Sequence, residues 1–463
     1  MSGEITGNTS TLSYDREKFL AAQLVSRSQI RMVAASLCDK ITMKEGAGET
    51  AYFVRYSRMN LPTTALSDDG ADPANSTFSL EEFSVSLDEW GDQITITTRA
   101  GLNTKHPLLQ EAMNLLADNA ARVMDREIQL VWLAGTNVRY GDGSVASRVT
   151  ITNTMKLDEN VIGGARVQLV TDGAPPKGMK SKDAFQTNAS GTFMGGGSYV
   201  AVAGPQVLQD LARPSVSLGT WVGVAQYANA KALFNFEVGT WMNMRWVESN
   251  FLPAFTTLGN STVVVASGAS GGITGLVVSN VATGGTLTSN TVYYWKLVRK
   301  SLSRGFGEAI SIIHSTNSGG SGDNESMTFA LPSTAGYVYD LYFDTNQAGG
   351  TGIDADLKLV AQNQAASATI TVTAPQATGA APPGSLRSVG DGADPTTVYP
   401  VFIHADESCK WVGFYNTRFY ITKDESIIGN VTRRKRAIAY TFFGKAKICD
   451  QTRLLRLEVA STF

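Results

Sequence analysis

The longest regular pattern of hydrophobic and polar positions in the chain runs through residues 105–135. Apolar side chains recur there three or four positions apart, which places them on one face of a helix. They are Leu109, Met113, Leu116, Ala120, Met124, Ile128, Val131 and Ala134. Pro107 suits the first helical position, and Gly135 suits the residue just past the end. The pattern therefore predicts one helix on the order of 40 Å long, enough to cross a small domain.

A second pattern, with a period of two, brackets a polar stretch between residues 59 and 78. Before it the sequence alternates around Tyr52, Val54 and Tyr56, and after it alternation resumes and runs into the β-branched segment QITITT at residues 93–98. Such alternation predicts a long two-stranded ribbon with a mobile tip. Because an isolated hairpin buries too little surface to be stable, we expect the ribbon to lie against a surface supplied by a partner.

Other segments predict further elements on either side of the long helix. Residues 15–37 have an apolar and a basic side, which predicts a helix on an N-terminal arm. That helix packs on its own subunit or reaches a neighbour, and we favour the neighbour. Residues 157–172 predict another helix, and a short buried strand at 198–203 precedes a third. This alternation of strands and helices is typical of a mixed α/β domain.

At about residue 255 the composition changes. From there to about residue 383 the chain is rich in small residues and β-branched residues, and short strand-like runs are separated by turn signals. The runs VYYWKLVR and YVYDLYF would supply an aromatic core. This spacing is expected of an all-β sandwich, and we predict an inserted immunoglobulin-like domain over residues 255–385. Strand-like segments resume at 397–404 and close the chain near 437–449 and 453–461.

Composition favours a large assembly-forming protein over an electrostatic binder. The chain has 463 residues, a formal net charge of -2 and only 17% charged residues. This length predicts two or three domains, and the weak charge does not indicate a dedicated nucleic-acid binder. The first residues lack the apolar segment of a secretory signal, and no apolar run is long enough to span a membrane. Cys38, Cys409 and Cys449 lie far apart, so we predict reduced core residues without disulfide or zinc-site spacing.

Few residues offer catalytic chemistry. The chain has three histidines, and only His404 has other reactive residues near it, namely Asp406, Ser408 and Cys409. Triad partners normally come from separated parts of a chain, and neither Ser408 nor Cys409 lies on a recognisable nucleophile elbow. The Gly-rich FMGGGS at 193–198 enters a strand, the opposite of the order that a phosphate loop needs. We predict no catalytic residue, no cofactor, no metal site and no enzymatic activity.

The basic cluster TRRKR at residues 432–436 has three interpretations. It could contact phosphates of packaged DNA, which requires charge alone. It could pair with the acidic ribbon tip of a neighbouring subunit. It could also be a solvated run of charges. The candidate intersubunit contacts are Asp68, Asp69, Asp72, Arg433, Arg434, Lys435 and Arg436.

Several stretches, in order, resemble tailed-phage major capsid proteins of the Hong Kong 97-type fold. More closely, they are similar to the major head protein family named after coliphage N-four. These stretches are LSDDGADP with FSVSLDEWGDQITIT, HPLLQEAMNLLADNAARVMDREI with LAGTNVRYGDG, SYVAVAGPQVLQDL, LFNFEVGTWMNMRWVES and AIAYTFFGKAKICDQTRLLRLEVAS. The similarity covers residues 40–254 and 397–463 in pieces. The inserted β domain departs from the family pattern.

The resemblance implies an α+β fold with the following parts. Residues 1–40 would be the N-terminal arm, 41–104 the E-loop with strands of the peripheral (P) domain, and 105–140 the spine helix. The axial (A) domain would comprise 141–254 and 386–432, interrupted by the insertion at 255–385, and 433–463 would be return strands of the P domain.

The resemblance also implies a structural subunit of an icosahedral head. Hexamers and pentamers would enclose double-stranded DNA without sequence-specific binding, in a virion assembled in the bacterial cytoplasm. Portal, scaffold and decoration proteins are the further partners that it allows, and the inserted domain would project outward as a glycan-binding decoration or as a clamp between capsomers. An alternative is an adhesin or tail-surface protein whose β domain binds host glycans. A hydrolase built around His404 and Ser408 is a third class.

Overall fold

We analysed a computed structural model of the chain. It describes residues 4–5, 33–44, 48–56, 77–97, 99–100, 108–146, 148–177, 198–211, 222–223, 236–242, 244–257, 263–264, 273–289, 291–309, 314–317, 325–345, 356–382, 388–389, 397–414, 417–421 and 435–462.

The described residues form four α-helices and a larger set of strands. The helices are α1 (Ala34–Leu37), α2 (Leu108–Leu133), α3 (Glu159–Thr171) and α4 (Pro205–Leu211). The strands that precede the inserted segment are β1 (Glu4–Ile5), β2 (Asp39–Thr42), β3 (Thr50–Tyr56), β4 (Leu80–Ser86), β5 (Glu89–Thr97), β6 (Val138–Tyr140), β7 (Tyr199–Ala203), β8 (Val222–Gly223), β9 (Glu237–Trp241) and β10 (Met244–Glu248). Those that follow are β11 (Thr256–Thr257), β12 (Val263–Val264), β13 (Val277–Val281), β14 (Val292–Ser301), β15 (Gly307–Ala309), β16 (His314–Asn317), β17 (Ser326–Ala330), β18 (Tyr337–Asp344), β19 (Leu357–Ala365), β20 (Thr369–Val372), β21 (Ser388–Val389), β22 (Val398–His404), β23 (Cys409–Gly413), β24 (Arg418–Ile421), β25 (Lys435–Ile448) and β26 (Leu454–Ala460).

The chain divides into two compact units, and helix α2 changes unit after Val123. The first unit has a six-stranded sheet in the order β1-β5-β25-β23-β2, with β24 also paired to β25. Strand β25 organises this sheet because it is 14 residues long and pairs with β5 along one edge and with β24 and β23 along the other. Strands β3 and β4 form a separate antiparallel ribbon in the same unit.

The second unit contains a seven-stranded sheet in the order β6-β26-β22-β7-β10-β9-β8. Two of its inner strands, β7 (YVAVA) and β26 (LLRLEVA), are buried at every position, and β26 includes the buried charged residues Arg456 and Glu458. Helix α3 packs one side with Val161, Ile162, Ala165 and Leu169. The helix begins where the Asp158 carboxylate accepts a hydrogen bond from the Val161 N–H, a typical N-cap.

The inserted segment folds into two sheets around one apolar core. One sheet follows the order β12-β16-β14-β18-β19, with β15 paired to β14, and the other follows β13-β17-β20. The core contains Trp295 of β14 and Phe329 of β17, whose rings meet edge to face with centroids 5.2 Å apart. The predicted aromatic runs therefore do supply this core. The assignment to an immunoglobulin-like class stays a prediction.

The inserted segment leaves and rejoins its unit at one place. The backbones of Phe255 and Val398 exchange hydrogen bonds of 2.7 and 2.8 Å, and β11 pairs with β21 directly beyond them. A turn after β14 also docks on the unit, because the buried Phe306 ring lies 5.7 Å from that of Phe251. Beside it, Gly305 has φ +71, and a Cβ there would collide with the Arg126 side chain.

The long helix and helix α3 confirm the periodicity arguments. Helix α2 ends at Leu133, two residues before Gly135, while Pro107 and His106 lie outside the described residues. Of the helix predicted at 15–37, only α1 belongs to the described part of the chain. Residues 433–463, grouped as return strands by the sequence, contribute β25 to the first unit and β26 to the second.

A buried carboxylate holds α1 against α2 within the second unit. The Asp125 side chain is fully buried and accepts hydrogen bonds from the N–H groups of Ala34, at 2.7 Å, and Ala35, at 3.4 Å. Its other oxygen accepts a 2.7 Å bond from the Gln129 amide. Burial raises the pKa of Asp125 to about 6, and these hydrogen bonds oppose the rise.

Candidate assembly interface

The outer face of the β3–β4 ribbon carries an unusual amount of exposed apolar surface. Tyr52, Val54 and Tyr56 are 65%, 52% and 66% exposed, and Leu80, opposite Tyr56 on β4, is 53% exposed. Just before β4, Phe78 is 64% exposed and meets the Tyr56 ring at 5.6 Å. Exposed apolar side chains that cluster in this way are typical of surfaces that contact another molecule.

The base of the ribbon is covered by its own unit. Val85 is buried and packs with Val412 of β23, and Phe53 joins the same cluster and stacks on Phe83 at 5.4 Å. The sequence interpretation, in which the whole covering surface came from a partner, is wrong for this base. On the ribbon, the apolar side chains that stay exposed among the described residues lie on its outer face and at its outer end.

The ribbon interpretation also needs a correction at its second strand. The QITITT segment belongs to β5, which pairs with β25 from Glu89 to Thr97 and not with β3. The strand that pairs with β3 is β4, with Phe53 opposite Phe83 and Arg55 opposite Glu81. The Arg55 guanidinium and the Glu81 carboxylate form an exposed ion pair at 2.5 Å. The predicted tip at 59–78 falls almost entirely outside the described residues.

Strand β24 is a second exposed apolar element, which the sequence analysis did not single out. Phe419, Tyr420 and Ile421 are 44%, 45% and 52% exposed. Among the described strands, β24 pairs only with β25, which places it at an edge of the described sheet. The segment RFYI is too short for its periodicity to distinguish an exposed edge strand from a buried one.

Most predicted charged contacts lie outside the described residues. This applies to Asp68, Asp69 and Asp72 at the ribbon tip and to Arg433 and Arg434. Lys435 and Arg436 begin β25, opposite Thr97 and Ile96 of β5, and Arg436 is exposed. Their pairing with an acidic tip or with DNA phosphates stays a prediction.

The residues of the hydrolase hypothesis come together in the interior. His404 Nδ1 and Ser408 Oγ are 3.0 Å apart, within hydrogen-bond distance, but the two residues are 0% and 1% exposed. The Trp132 ring covers His404 with centroids 4.3 Å apart. Burial, with a smaller effect of Lys177, lowers the pKa of His404 to about 3, so the ring is neutral at ordinary pH. This buried pair forms part of the packing of the second unit.

Two of the three cysteines form a buried pair. Cys38 and Cys409 are 5% and 1% exposed, as predicted for core residues, and their sulfur atoms are 2.6 Å apart. Cys449 is half-buried, so the prediction of a core position is wrong for it. The described residues contain no cluster of His, Cys, Asp and Glu able to hold a metal ion. None of the described helices is long and apolar enough to cross a membrane.

Of three comparisons with known proteins, the one with solved structures found similar chains. No protein-family model matches the chain, and no curated protein matches it either. The chain is similar to the capsid of Ralstonia phage GP4, with a TM-score of 0.51 at 13% identity, covering 100% of this chain and 99% of that one. The capsid asymmetric unit of cyanophage Pam1 gives a TM-score of 0.51 at 9% identity, covering 98% and 99%.

The chain has the fold of phage capsid subunits. At these identities the likeness concerns the fold, and it extends over almost the full length of both proteins. The exposed ribbon and the edge strand β24 therefore belong to a fold that, in those phages, forms a shell.

Proposed function

We propose that the chain is the major capsid protein of a tailed double-stranded DNA phage. It has the Hong Kong 97-type fold and assembles into hexamers and pentamers of an icosahedral head. In this proposal the ribbon is the E-loop, α2 is the spine helix, the first unit with β25 belongs to the P domain, and the seven-stranded sheet belongs to the A domain. The inserted sandwich is an added domain. The protein is a structural component of the virion and not an enzyme.

The single observation that carries the proposal is the solvent-exposed aromatic face of the ribbon. Tyr52, Tyr56 and Phe78 together expose large rings on an element whose only described apolar support lies at its base. Burying one such side chain contributes roughly 2 kcal/mol. A neighbouring copy that covers this face therefore gains stability that the isolated chain lacks, and repeated contacts of this type produce closed rings.

The face of the ribbon and the edge of strand β24 offer two different kinds of contact. The ribbon face is apolar and aromatic, which favours packing on a neighbour. Strand β24 lies at an edge of the described sheet, a position that favours strand addition. A subunit in a closed shell needs at least two separate interfaces, because one interface alone yields a dimer or a single ring.

The test is electron microscopy of the purified protein together with its sedimentation behaviour. We expect closed particles or capsomer rings whose assembly depends on protein concentration. A monomer at every concentration, with no particles, would contradict the proposal. Fibres or trimers would favour an adhesin or tail-surface protein, the alternative in which the β sandwich binds host glycans.

The remaining parts of the proposal concern partners. DNA would be enclosed without sequence-specific contacts, with portal, scaffold and decoration proteins joining the shell, and assembly would occur in the bacterial cytoplasm. The inserted sandwich leaves and rejoins its unit at one neck, at Phe255 and Val398, and this supports an outward position where decoration or clamping is possible.

A further inference from the structure

We infer that Cys38 and Cys409 form a disulfide that links strand β2, which follows the N-terminal arm, to β23 once the protein leaves a reducing compartment. The two residues are 371 positions apart, and their sulfur atoms are already 2.6 Å apart in the interior of the first unit. A disulfide S–S bond is about 2.05 Å long, so closure requires little movement.

The strand register explains why the two side chains meet. Strands β2 and β23 are parallel, and Asp39 lies opposite Lys410. Cys38 and Cys409 each immediately precede one residue of this pair, so they lie opposite each other as well. Neighbouring strands lie about 4.8 Å apart, which falls within the Cα separation that a disulfide accommodates. No backbone rearrangement is needed.

At this location the disulfide would hold a short edge strand in its sheet. Strand β2 has four residues and lies at the end of the sheet order, where β23 is its one neighbour among the described strands. A short edge strand of this type separates easily from a sheet. The disulfide would close a loop of more than 300 residues and prevent separation of β2, which is the first described strand after the N-terminal arm.

The chemistry is a thiol–disulfide exchange with a small disulfide such as oxidised glutathione. The Cys38 thiolate attacks one glutathione sulfur and releases glutathione thiolate. The Cys409 thiolate then attacks the Cys38 sulfur of this mixed disulfide and releases the second glutathione. Two cysteine thiols are oxidised, one glutathione disulfide is reduced to two thiols, and both protons pass to the solvent or the products. Cys38, the more exposed of the two, is the entry point.

The reducing cytoplasm keeps such a pair as thiols, whereas release from the cell exposes it to oxidising conditions. The timing of bond formation at release rests on the proposed function, but the bond itself does not. A failure to assemble would leave the prediction for the bond unchanged, and absence of the bond would leave the shell unaffected.

The experiment uses the full-length protein treated either with dithiothreitol or with oxidised glutathione and then denatured for thiol titration. The reduced protein should show three reactive thiols and the oxidised protein one, from Cys449. Peptide mapping by mass spectrometry should find Cys38 joined to Cys409 with the loss of two hydrogen masses. Three thiols after oxidation, or a cross-link that involves Cys449, would overturn the inference.

Two variants supply matched controls. Cys449→Ser keeps the pair, so oxidation should leave no reactive thiol and should raise Tm by at least about 3 °C. Cys38→Ser removes the pair, so oxidation should change neither the thiol count nor Tm. If Cys38→Ser fails to fold, the thiol count and the peptide map of the unaltered protein still decide the question.

Discussion

Arg148 and Glu458, which are 310 positions apart in the sequence, form a bidentate ion pair with two contacts of 2.5 Å. The Glu458 side chain is fully buried, and the Arg148 side chain is 13% exposed. The same guanidinium lies 3.5 Å above the Phe255 ring, and Arg456 Nε approaches the carboxylate at 3.0 Å. This pair links the closing strand β26 to the neck of the inserted segment.

Loss of Arg148 should therefore destabilise the protein strongly. In Arg148→Met, the buried Glu458 keeps Arg456 but loses its bidentate partner, so we expect the free energy of unfolding to fall by about 3 kcal/mol. Chemical denaturation followed by fluorescence measures this change. The matched control is Arg55→Met, which breaks the exposed pair with Glu81 and should cost less than about 1 kcal/mol. Equal losses in the two variants would contradict the assigned role of burial.

The buried Asp125 should make stability depend on pH. Its pKa is about 6 in the folded protein and 3.8 when unfolded, so above pH 6 the folded state carries an unfavourable buried charge. As the pH falls from about 6 to about 4, the folded protein takes up a proton that the unfolded chain does not, and this group's contribution to stability rises. Below both pKa values the contribution is constant.

Asp125→Asn isolates this effect. The variant should be more stable than the parent at pH 7.5, by up to roughly 3 kcal/mol, and nearly equal to it at pH 4. Asn keeps the acceptor for Ala34, and the Gln129 amide, whose Oε1 has no partner among the described residues, can rotate to accept from it. Asp125→Ala removes the acceptor and should be less stable at both pH values. A constant difference between Asp125→Asn and the parent across this pH range would contradict the prediction.

The exposed ribbon face should affect assembly without affecting the fold. Tyr52 and Tyr56 are about two-thirds exposed, so Tyr52→Ser with Tyr56→Ser should leave Tm within about 2 °C. Particle formation, measured by light scattering and electron microscopy, should be lost. Leu302→Ser is the control, because Leu302 is equally exposed at 68% but lies on the inserted segment. If the double variant assembles normally, the ribbon face is not an interface.

A backbone contact inside the sandwich makes Gly285 sensitive to substitution. A Cβ at Gly285 would collide with the Glu325 carbonyl oxygen and would lie 2.7 Å from that of Thr373. We expect Gly285→Ala to lose about 2 kcal/mol. Gly163 of helix α3 is the contrasting site, since its Cβ would meet only Met242, at 3.7 Å. Gly163→Ala should be neutral or stabilising by about 0.5 kcal/mol. The calorimetric Tm of both variants tests this difference.

Removal of the inserted segment should leave the shell-forming parts intact. A short Gly/Ser link between Thr257 and Ser388 keeps β11, β21 and the hydrogen bonds between Phe255 and Val398. We expect particles to form from this variant, with Phe251→Ser added because loss of Phe306 uncovers that ring. Capsomers that no longer join into shells would identify the sandwich as a clamp.

Local patterns in the sequence identified elements well and their partners poorly. The periodicity of residues 108–133 requires a helix, whatever surrounds it. Alternation marked β5 as a strand but could not show that its partner β25 lies more than 300 residues later. Separation along the chain also hid the Cys38–Cys409 pair, 371 positions apart, and the contact of Asp125 with Ala34, 91 positions apart. The need for a partner surface on the ribbon was expected because an isolated hairpin buries too little surface, whereas the exposed side chains of β24 had no signal in four residues.

The neck at Phe255 and Val398 has a consequence for how this protein can change. Because the two ends of the inserted segment meet through a pair of backbone hydrogen bonds, a segment of another length can close the same neck, provided that the docking site of Phe306 on Phe251 is replaced or made polar. A different polypeptide with closely spaced termini can be grafted there. In the proposed shell, such a graft would be carried in as many copies as there are subunits, at regular spacing.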